Sequence, residues 1–151
     1  YTYKKIGLNS RLDAIQAAIL RVKLKNLHES NNIRRENAKI YNSKLQGIKE
    51  ILIPKFLTDI DSHIFHQYTL ILKNKKTRDE LKNFLEKNNV SSMIYYPKPL
   101  HKESPYRKFN FMQHKSSEEL SKRVLSLPIH PLLLKKDIQF VSDVIIKFFN
   151  F

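Results

Sequence analysis

The stretch FHQYTLILKNKKTRDELKNFLEKNNVSSMIYY, residues 65–96, decides the fold, because its pattern changes from strand to helix and back to strand. Residues 65–72 are rich in aromatic and β-branched side chains, which favours a strand. Residues 77–80 (TRDE) have the pattern of a helix capping box, and apolar residues follow at helical spacing over 81–85. Residues 90–96 predict a second strand, which ends at two prolines.

The chain after this stretch continues the same alternation. A polar and aromatic loop over 97–115 is long enough to be a functional lid. A short helix is predicted to start at Ser116, a third strand covers 124–129, and an amphipathic helix covers 137–149. Strands that alternate with short helices predict a small α+β domain in which helices pack on a sheet.

The N-terminal region predicts a helix that is too long for so small a body, which indicates an element that packs on something else. Residues 10–13 (SRLD) resemble a capping box, and apolar residues recur at helical spacing until Gly47, with a break expected at Asn31-Asn32. We expect residues 1–46 to form a loop and a long helix leading to another domain. Residues 47–151 are expected to form the small α+β domain.

The composition excludes several classes of protein. Cysteine is absent and there are two glycines, which excludes disulfides, thiol catalysis and a glycine-rich phosphate loop. No apolar run approaches the ~20 residues of a membrane span, so we expect a cytoplasmic protein without membrane contact. The net charge of +14 comes mostly from lysines spread along the chain. Such a spread is weaker support for nucleic-acid binding than a clustered basic patch, and we expect no nucleic-acid partner.

The residues alone do not predict a complete catalytic centre. His63 and His66 are three positions apart, a spacing that points to opposite faces of a strand, so we expect no shared metal. In residues 95–101 (YYPKPLH), two prolines stiffen the exit of the predicted strand and present two phenols and an imidazole. This segment is either a binding loop or a structural turn.

Six ordered motifs resemble the DegT/DnrJ/EryC1/StrS family of pyridoxal-phosphate-dependent sugar aminotransferases. The first is GLNSRLDAIQAAIL at 7–20, which is similar to the family's Gly-x-Asn-x-Arg…Gln-Ala-Ala segment. The others are Arg34-Arg35 before Ala38 and Tyr41, then HQY at 66–68 and RDEL at 78–81, then YYPKPLH at 95–101, and finally LSLPIHP at 125–131.

This resemblance implies the C-terminal part of a fold-type-I homodimer with shared active sites. Its small domain is expected to hold a three-stranded, mainly antiparallel sheet with helices packed on it and a long N-terminal helix. The resemblance places the lysine that holds pyridoxal 5'-phosphate upstream of the segment corresponding to Tyr1, so no catalytic residue is assigned here. It also implies a nucleotide-sugar substrate, UDP-linked in the most similar members, and an amino-acid amino donor such as glutamate. The expected product is an amino sugar for surface polysaccharide.

Five site residues are implied by matching motif positions. Asn9 corresponds to the asparagine that reaches the cofactor phosphate of the neighbouring subunit, and Arg11 to the arginine that contacts that subunit's sugar nucleotide. Tyr95 and Tyr96 correspond to a substrate-binding pair that is commonly His-Tyr, so Tyr95 departs from the pattern. His101 matches a recurring family histidine and is assigned to the substrate.

Other interpretations of the same residues remain open at the level of sequence. Asn9 could be a turn residue, and Arg11 a solvated residue of the first helical turn, although a cation there opposes the helix dipole. The run 126–128 is expected to be core rather than site. The whole chain could instead be a basic nucleic-acid-binding module or a dimerisation domain without catalysis, and another nucleotide such as dTDP or GDP could replace UDP.

Overall fold

A computed structural model describes residues 3–55, 62–109 and 112–150. Its centre is a three-stranded antiparallel sheet of order β1-β2-β3, formed by β1 (Ile51–Leu52), β2 (Tyr68–Leu72) and β3 (Val124–Leu127). The side chains of β2 alternate between buried and half-buried, while every residue of β3 is buried. The predicted α+β class and the antiparallel sheet are therefore confirmed.

The described residues contain five α-helices. They are α1 (Ala14–Leu24), α2 (Leu27–Leu45), α3 (Lys75–Lys87), α4 (Lys115–Arg123) and α5 (Lys135–Phe149). The loop between α3 and α4 contains two 3₁₀ helices, Leu100–Lys102 and Ser104–Phe109, and its residues 110–111 lie outside the described residues. The helices α2 and α5 pack against each other, and α3 contacts α4, α5 and two strands.

The prediction of a strand over residues 90–96 is wrong. Within the described residues this segment makes one isolated bridge, in which Met93 pairs with Ser126 of β3. The third strand of the sheet is instead β1, whose residues Ile51 and Leu52 pair with Leu72 and Ile71. A two-residue strand has no periodicity that a sequence pattern could detect.

The two predicted capping boxes are also corrected. Asp13, not Ser10, caps α1, and its Oδ1 accepts a hydrogen bond from the backbone N–H of Gln16 at 2.7 Å. Asn74, not Thr77, caps α3, and its Oδ1 accepts from the Thr77 N–H at 2.9 Å. In both helices the side chain of the N-cap residue accepts a hydrogen bond from the amide three residues later, which has no partner within the helix.

The long N-terminal helix is divided in two, but earlier than expected. The break lies at residues 25–26 between α1 and α2, and α2 continues through Asn31-Asn32 without interruption. Gly47 follows the end of α2 with a φ of +98°, a conformation that glycine adopts without steric cost. Gly47 therefore ends the helix as predicted.

The core contains the second half of α2 as well as the sheet and the C-terminal helix. Tyr41 and Leu45 of α2 are fully buried with strand and helix residues. The main fully buried apolar side chains are Tyr41, Leu45, Phe65, Tyr68, Leu70, Leu72, Leu81, Leu85, Leu125, Ile138 and Ile145. The expected boundary between residues 1–46 and 47–151 stays a prediction. The second half of α2, which lies before that boundary, already contributes to the core.

The helix α1 buries none of its residues. Leu12, Ile15, Ile19 and Val22 recur at helical spacing and are 62%, 76%, 55% and 67% exposed. An apolar stripe of this kind on a soluble surface marks a contact site. We predict that the chain associates with a second copy of itself through this stripe.

The chain is expected to self-associate at micromolar concentration through this stripe. Burial of four large apolar side chains against a second copy removes them from water. Sedimentation velocity should show a species heavier than 18.0 kDa. The double variant Ile15→Lys, Ile19→Lys should be monomeric, and a wild-type chain that stays monomeric over the same range would contradict the prediction.

Within the described residues, no helix has both the length and the apolar character needed to cross a membrane.

Candidate functional site

A cavity of about 290 Å³ lies where several polar loops meet beside Tyr95. One wall comes from Arg34 on α2, and another from His66 and Gln67, which precede β2. The remaining lining residues belong to the segments after α3 and after β3: Ser91, Ser92, Met93, Tyr95, Ser126, Leu127, Pro128, Ile129 and His130.

Backbone pairing fixes the two loops that form the floor of this cavity. The N–H of Met93 donates to the carbonyl of Ser126 at 3.0 Å, and the Ser126 N–H donates back to Met93 at 2.7 Å. The Ser126 hydroxyl also shares a 2.8 Å hydrogen bond with Thr69 of β2. Ser126 and Leu127 are buried, as expected for core residues, but they also line the cavity.

Two buried tyrosines connect α2 to the same region. The Tyr41 hydroxyl donates to the carbonyl of Pro128 at 2.8 Å, and the Tyr68 hydroxyl donates to Oδ1 of Asn42 at 2.6 Å. Burial raises the pKa of both phenols well above the ordinary value, so both stay protonated and act as donors. Tyr41 therefore holds the Pro128 wall against α2, and Tyr68 holds β2 against the same helix.

Asn9 and Arg11 lie apart from this cavity in the structure of the single chain. They belong to the non-helical segment before α1, and both side chains are exposed. Neither is among the residues that line the cavity at Tyr95. An amide and a guanidinium held out in solvent are available to a second molecule.

Tyr95 and Tyr96 are adjacent but have different surroundings. Tyr95 is half-buried and lines the cavity, whereas Tyr96 is 52% exposed. Their rings meet edge to face, with centroids 5.8 Å apart. The pair therefore presents one phenol at the cavity and one to solvent.

His101 is placed in a different cavity from Tyr95. Its Nε2 lies 3.2 Å from Oε1 of Glu118, and its ring packs against His114 at 4.6 Å between centroids. The other Glu118 oxygen accepts a hydrogen bond from Lys102, and together Lys102 and His101 lower the pKa of that carboxyl. His101 thus links the loop to α4, in a separate cavity of about 400 Å³ with Pro99, Leu100, Tyr106 and Phe109.

A buried carboxylate connects the N-terminal segment to the loop. Glu103 is 1% exposed, and its Oε2 accepts hydrogen bonds from Nζ of Lys98 at 3.2 Å and from the backbone N–H of Tyr3 at 3.3 Å. These bonds join the segment that carries Asn9 and Arg11 to the loop that follows Tyr96. The sequence analysis did not single out Glu103, which stands two residues after the motif that ends at His101.

Lys98→Met is expected to lower the free energy of unfolding by about 1–3 kcal/mol, because it leaves the buried Glu103 carboxylate short of a charged donor. Lys102→Met is the matched control, since it removes a lysine from the more exposed Glu118 of the same loop and should have little effect. Urea denaturation of both variants measures the difference. Equal stabilities of the two variants would mean that the bond between Lys98 and Glu103 does not stabilise the fold.

His63 and His66 precede β2 rather than lying on it, which corrects the geometry assumed for them. Nδ1 of His63 accepts from the Phe65 N–H at 2.9 Å and its ring contacts Phe65, while His66 lines the cavity. In the part of the chain that the structure describes, there is no group of three or more His, Asp or Glu side chains that could hold a metal ion.

Sequence reasoning did not assign Arg34, His66 or His130 to a site. All three lie within motifs that were quoted for the family resemblance, at 34–35, 66–68 and 125–131. Their convergence on one cavity depends on tertiary packing and could not be read from their spacing.

Comparison with known proteins identifies a family. A model described as "DegT/DnrJ/EryC1/StrS aminotransferase family" matches residues 1–146. The chain is 35% identical over 141 residues to dTDP-3-amino-3,6-dideoxy-alpha-D-galactopyranose transaminase of Aneurinibacillus thermoaerophilus, covering 92% of the chain and 37% of that relative. It is also 35% identical over 145 residues to UDP-N-acetyl-3-dehydro-alpha-D-glucosamine 3-aminotransferase of Acidithiobacillus ferrooxidans, covering 96% and 38%.

Solved structures agree with this assignment. A DegT DnrJ EryC1 StrS aminotransferase from Brucella abortus superimposes with a TM-score of 0.77 at 36% identity, covering 98% of the chain and 39% of that protein. DesV of S. venezuelae superimposes with a TM-score of 0.83 at 31% identity, covering 99% and 40%. The chain therefore spans about 40% of the length of the proteins that it matches.

Proposed function

Because the chain belongs to the DegT/DnrJ/EryC1/StrS aminotransferase family, we propose that it acts as the C-terminal part of an enzyme that aminates a keto sugar on a nucleotide carrier. The observation that carries this proposal is the family match over residues 1–146, which includes the motifs at Asn9, Arg11 and Tyr95-Tyr96. Relatives of both UDP and dTDP specificity support a nucleotide sugar as substrate. UDP is our proposal for the carrier, and glutamate for the amino donor.

Enzymes of this family depend on pyridoxal 5'-phosphate, which supplies an electron sink when an amino group is transferred. The residues of this chain fit one part of such a site. The exposed Asn9 amide can donate a hydrogen bond to a phosphate oxygen without adding charge. We propose that Asn9 serves the cofactor of the partner subunit, while the lysine for that cofactor belongs to a region outside these 151 residues.

The remaining site residues are proposed to bind the sugar nucleotide of the partner subunit. The Arg11 guanidinium can form two parallel hydrogen bonds with a diphosphate or a uracil edge. Tyr95 and Tyr96 offer two phenols that can donate to, or stack on, the same substrate. His101 is the weakest member of this set, since its Nε2 already contacts Glu118 at 3.2 Å, and we propose that it contacts substrate from the neighbouring cavity.

The proposed division of the chain follows from these roles. Residues 1–46 would link the two domains, and residues 47–151 would form the small domain. The exposure of α1 supports this arrangement, because among the described α-helices it is the one that buries none of its residues, whereas the second half of α2 already belongs to the core of the small domain. The proposal requires a homodimer, since Asn9 and Arg11 are exposed and neither lines the cavity of its own chain.

The proposal is tested by an assay of the full-length protein that contains this chain. The enzyme is incubated with pyridoxal phosphate, glutamate and either a UDP-linked or a dTDP-linked 3-keto sugar, and products are identified by mass spectrometry. We expect an increase in product mass that corresponds to replacement of the keto oxygen by an amine. Absence of amination with every nucleotide sugar would contradict the proposal, and amination of only the dTDP sugar would correct the carrier.

A further inference from the structure

The cavity beside Tyr95 has an unusual balance of charge. Its lining contains an arginine, two histidines and three serine hydroxyls, and none of its lining residues is Asp or Glu. We propose that this cavity binds a small oxyanion of carboxylate or phosphate type, through Arg34, His66 and His130. The proposal concerns binding by this chain itself and holds whether or not the longer protein is a transaminase.

Arg34 is the residue that argues most directly for an anion. It is half-buried, and its Nη1 donates to Oδ1 of Asn31 at 3.3 Å. Among the described residues, no carboxylate lies within ion-pair distance of Arg34, although arginine is the side chain best suited to pair with one. A partly desolvated guanidinium with only a neutral acceptor is stabilised by any oxyanion that enters the cavity.

The two histidines can act as further donors. Nδ1 of His130 accepts a hydrogen bond from the Leu132 N–H at 3.2 Å, so the neutral ring carries its proton on Nε2. The ring of His66 makes no hydrogen bond to any residue in the described ranges. Ser91 and Ser92 add hydroxyl donors to the same lining. Together with Arg34, the donors come from four separate segments and converge on one cavity.

The volume limits the size of the ligand. About 290 Å³ is at the lower end of the range for small-molecule sites, which suits a small oxyanion or a dicarboxylate better than a complete nucleotide sugar. The net charge of +14 adds a long-range attraction for anions. Free phosphate and a small dicarboxylate share the required chemistry, and the experiment separates them.

The test uses the ¹⁵N-labelled chain of 151 residues, titrated with sodium phosphate, sodium succinate or sodium chloride at constant ionic strength. We expect saturable amide shifts at residues 91–93 and 126–130 with phosphate or succinate, and none with chloride. The tighter of the two oxyanions identifies the ligand class. Shifts that are linear with concentration, or equal for chloride, would overturn the proposal.

Substitutions distinguish a specific anion site from the general attraction of anions to a basic protein. Arg34→Gln should weaken the oxyanion at least tenfold, while Arg35→Gln removes the same charge one position away and should leave affinity unchanged. His66→Ala should also weaken oxyanion binding. Because His66 is exposed and lies outside α2, this variant tests the site even if Arg34→Gln disturbs that helix. Wild-type affinity in both Arg34→Gln and His66→Ala would contradict the assignment.

Discussion

Full-length homodimers carrying Asn9→Ala together with Arg11→Ala are expected to lose on the order of a hundredfold or more in transamination rate. Each substitution removes a hydrogen bond to a charged group, worth about 1.5–3 kcal/mol in such pairs. Both residues are exposed in the single chain, so their removal should not disturb its core. The loss should therefore fall on substrate and cofactor binding, not on folding.

Ser10→Ala is the matched control for this double variant. Ser10 lies between the two residues and is exposed, and α1 is capped by Asp13 instead, so the helix start should be unaffected. Steady-state kinetics should show an increased KM for the nucleotide sugar in Arg11→Ala and a weaker hold on pyridoxal phosphate in Asn9→Ala. An active double variant, or an equally inactive Ser10→Ala, would remove the support for these assignments.

The chain of 151 residues is expected to show no transamination and no site-specific attachment of pyridoxal phosphate. None of its lysines stands in a motif that matches the family's cofactor lysine, and the lysines are spread along the sequence. After incubation with pyridoxal phosphate, reduction with borohydride and peptide mapping, labelling should be low and distributed over many lysines. A single lysine labelled in stoichiometric amount would place a cofactor site within these residues and contradict the proposed division of the enzyme.

The sequence predicts the elements that have a clear period. The helices α3, α4 and α5 and the strands β2 and β3 were expected within a few residues of their observed bounds. Of these, α3, α5 and β2 carry an apolar face, whereas α4 buries only Ser121 and β3 is buried throughout. The segment 90–96 is strand-like in composition, but only Met93 pairs with the sheet, and Val90 is buried in the core instead. Burial in the core accounts for Val90 and, in part, for Ile94, whereas Met93 and Tyr96 are exposed.

Cap positions failed for a different physical reason. A Ser or Thr followed by an acidic residue three positions later indicates a cap, but Asp13 and Asn74 accept from the amides of Gln16 and Thr77 instead, so α1 begins later and α3 earlier than the pattern indicates. The choice between two neighbouring caps depends on where the helix can pack. For α3 that packing places Arg78, Leu81 and Leu85 in the interior.

The candidate site was predictable only as separate motifs. The segment that holds Tyr95 was expected to be either a binding loop or a turn, and Tyr95 lines one cavity, whereas His101 lies in another beside Glu118. Arg34, His66 and His130 are distant in sequence and meet only because α2, the segment before β2 and the segment after β3 pack together. Spacing along the chain holds no information about such a meeting.

Mixed dimers of the full-length protein test the central claim, that this chain completes the active site of its partner. One subunit lacks the cofactor lysine upstream, and the other carries Asn9→Ala and Arg11→Ala. In each heterodimer one site collects both defects and the other has none. Random mixing makes half of all dimers mixed, so activity should recover from near zero to roughly a quarter of the wild-type value per site. Verified heterodimers that stay inactive would show that Asn9 and Arg11 serve their own subunit or no site at all.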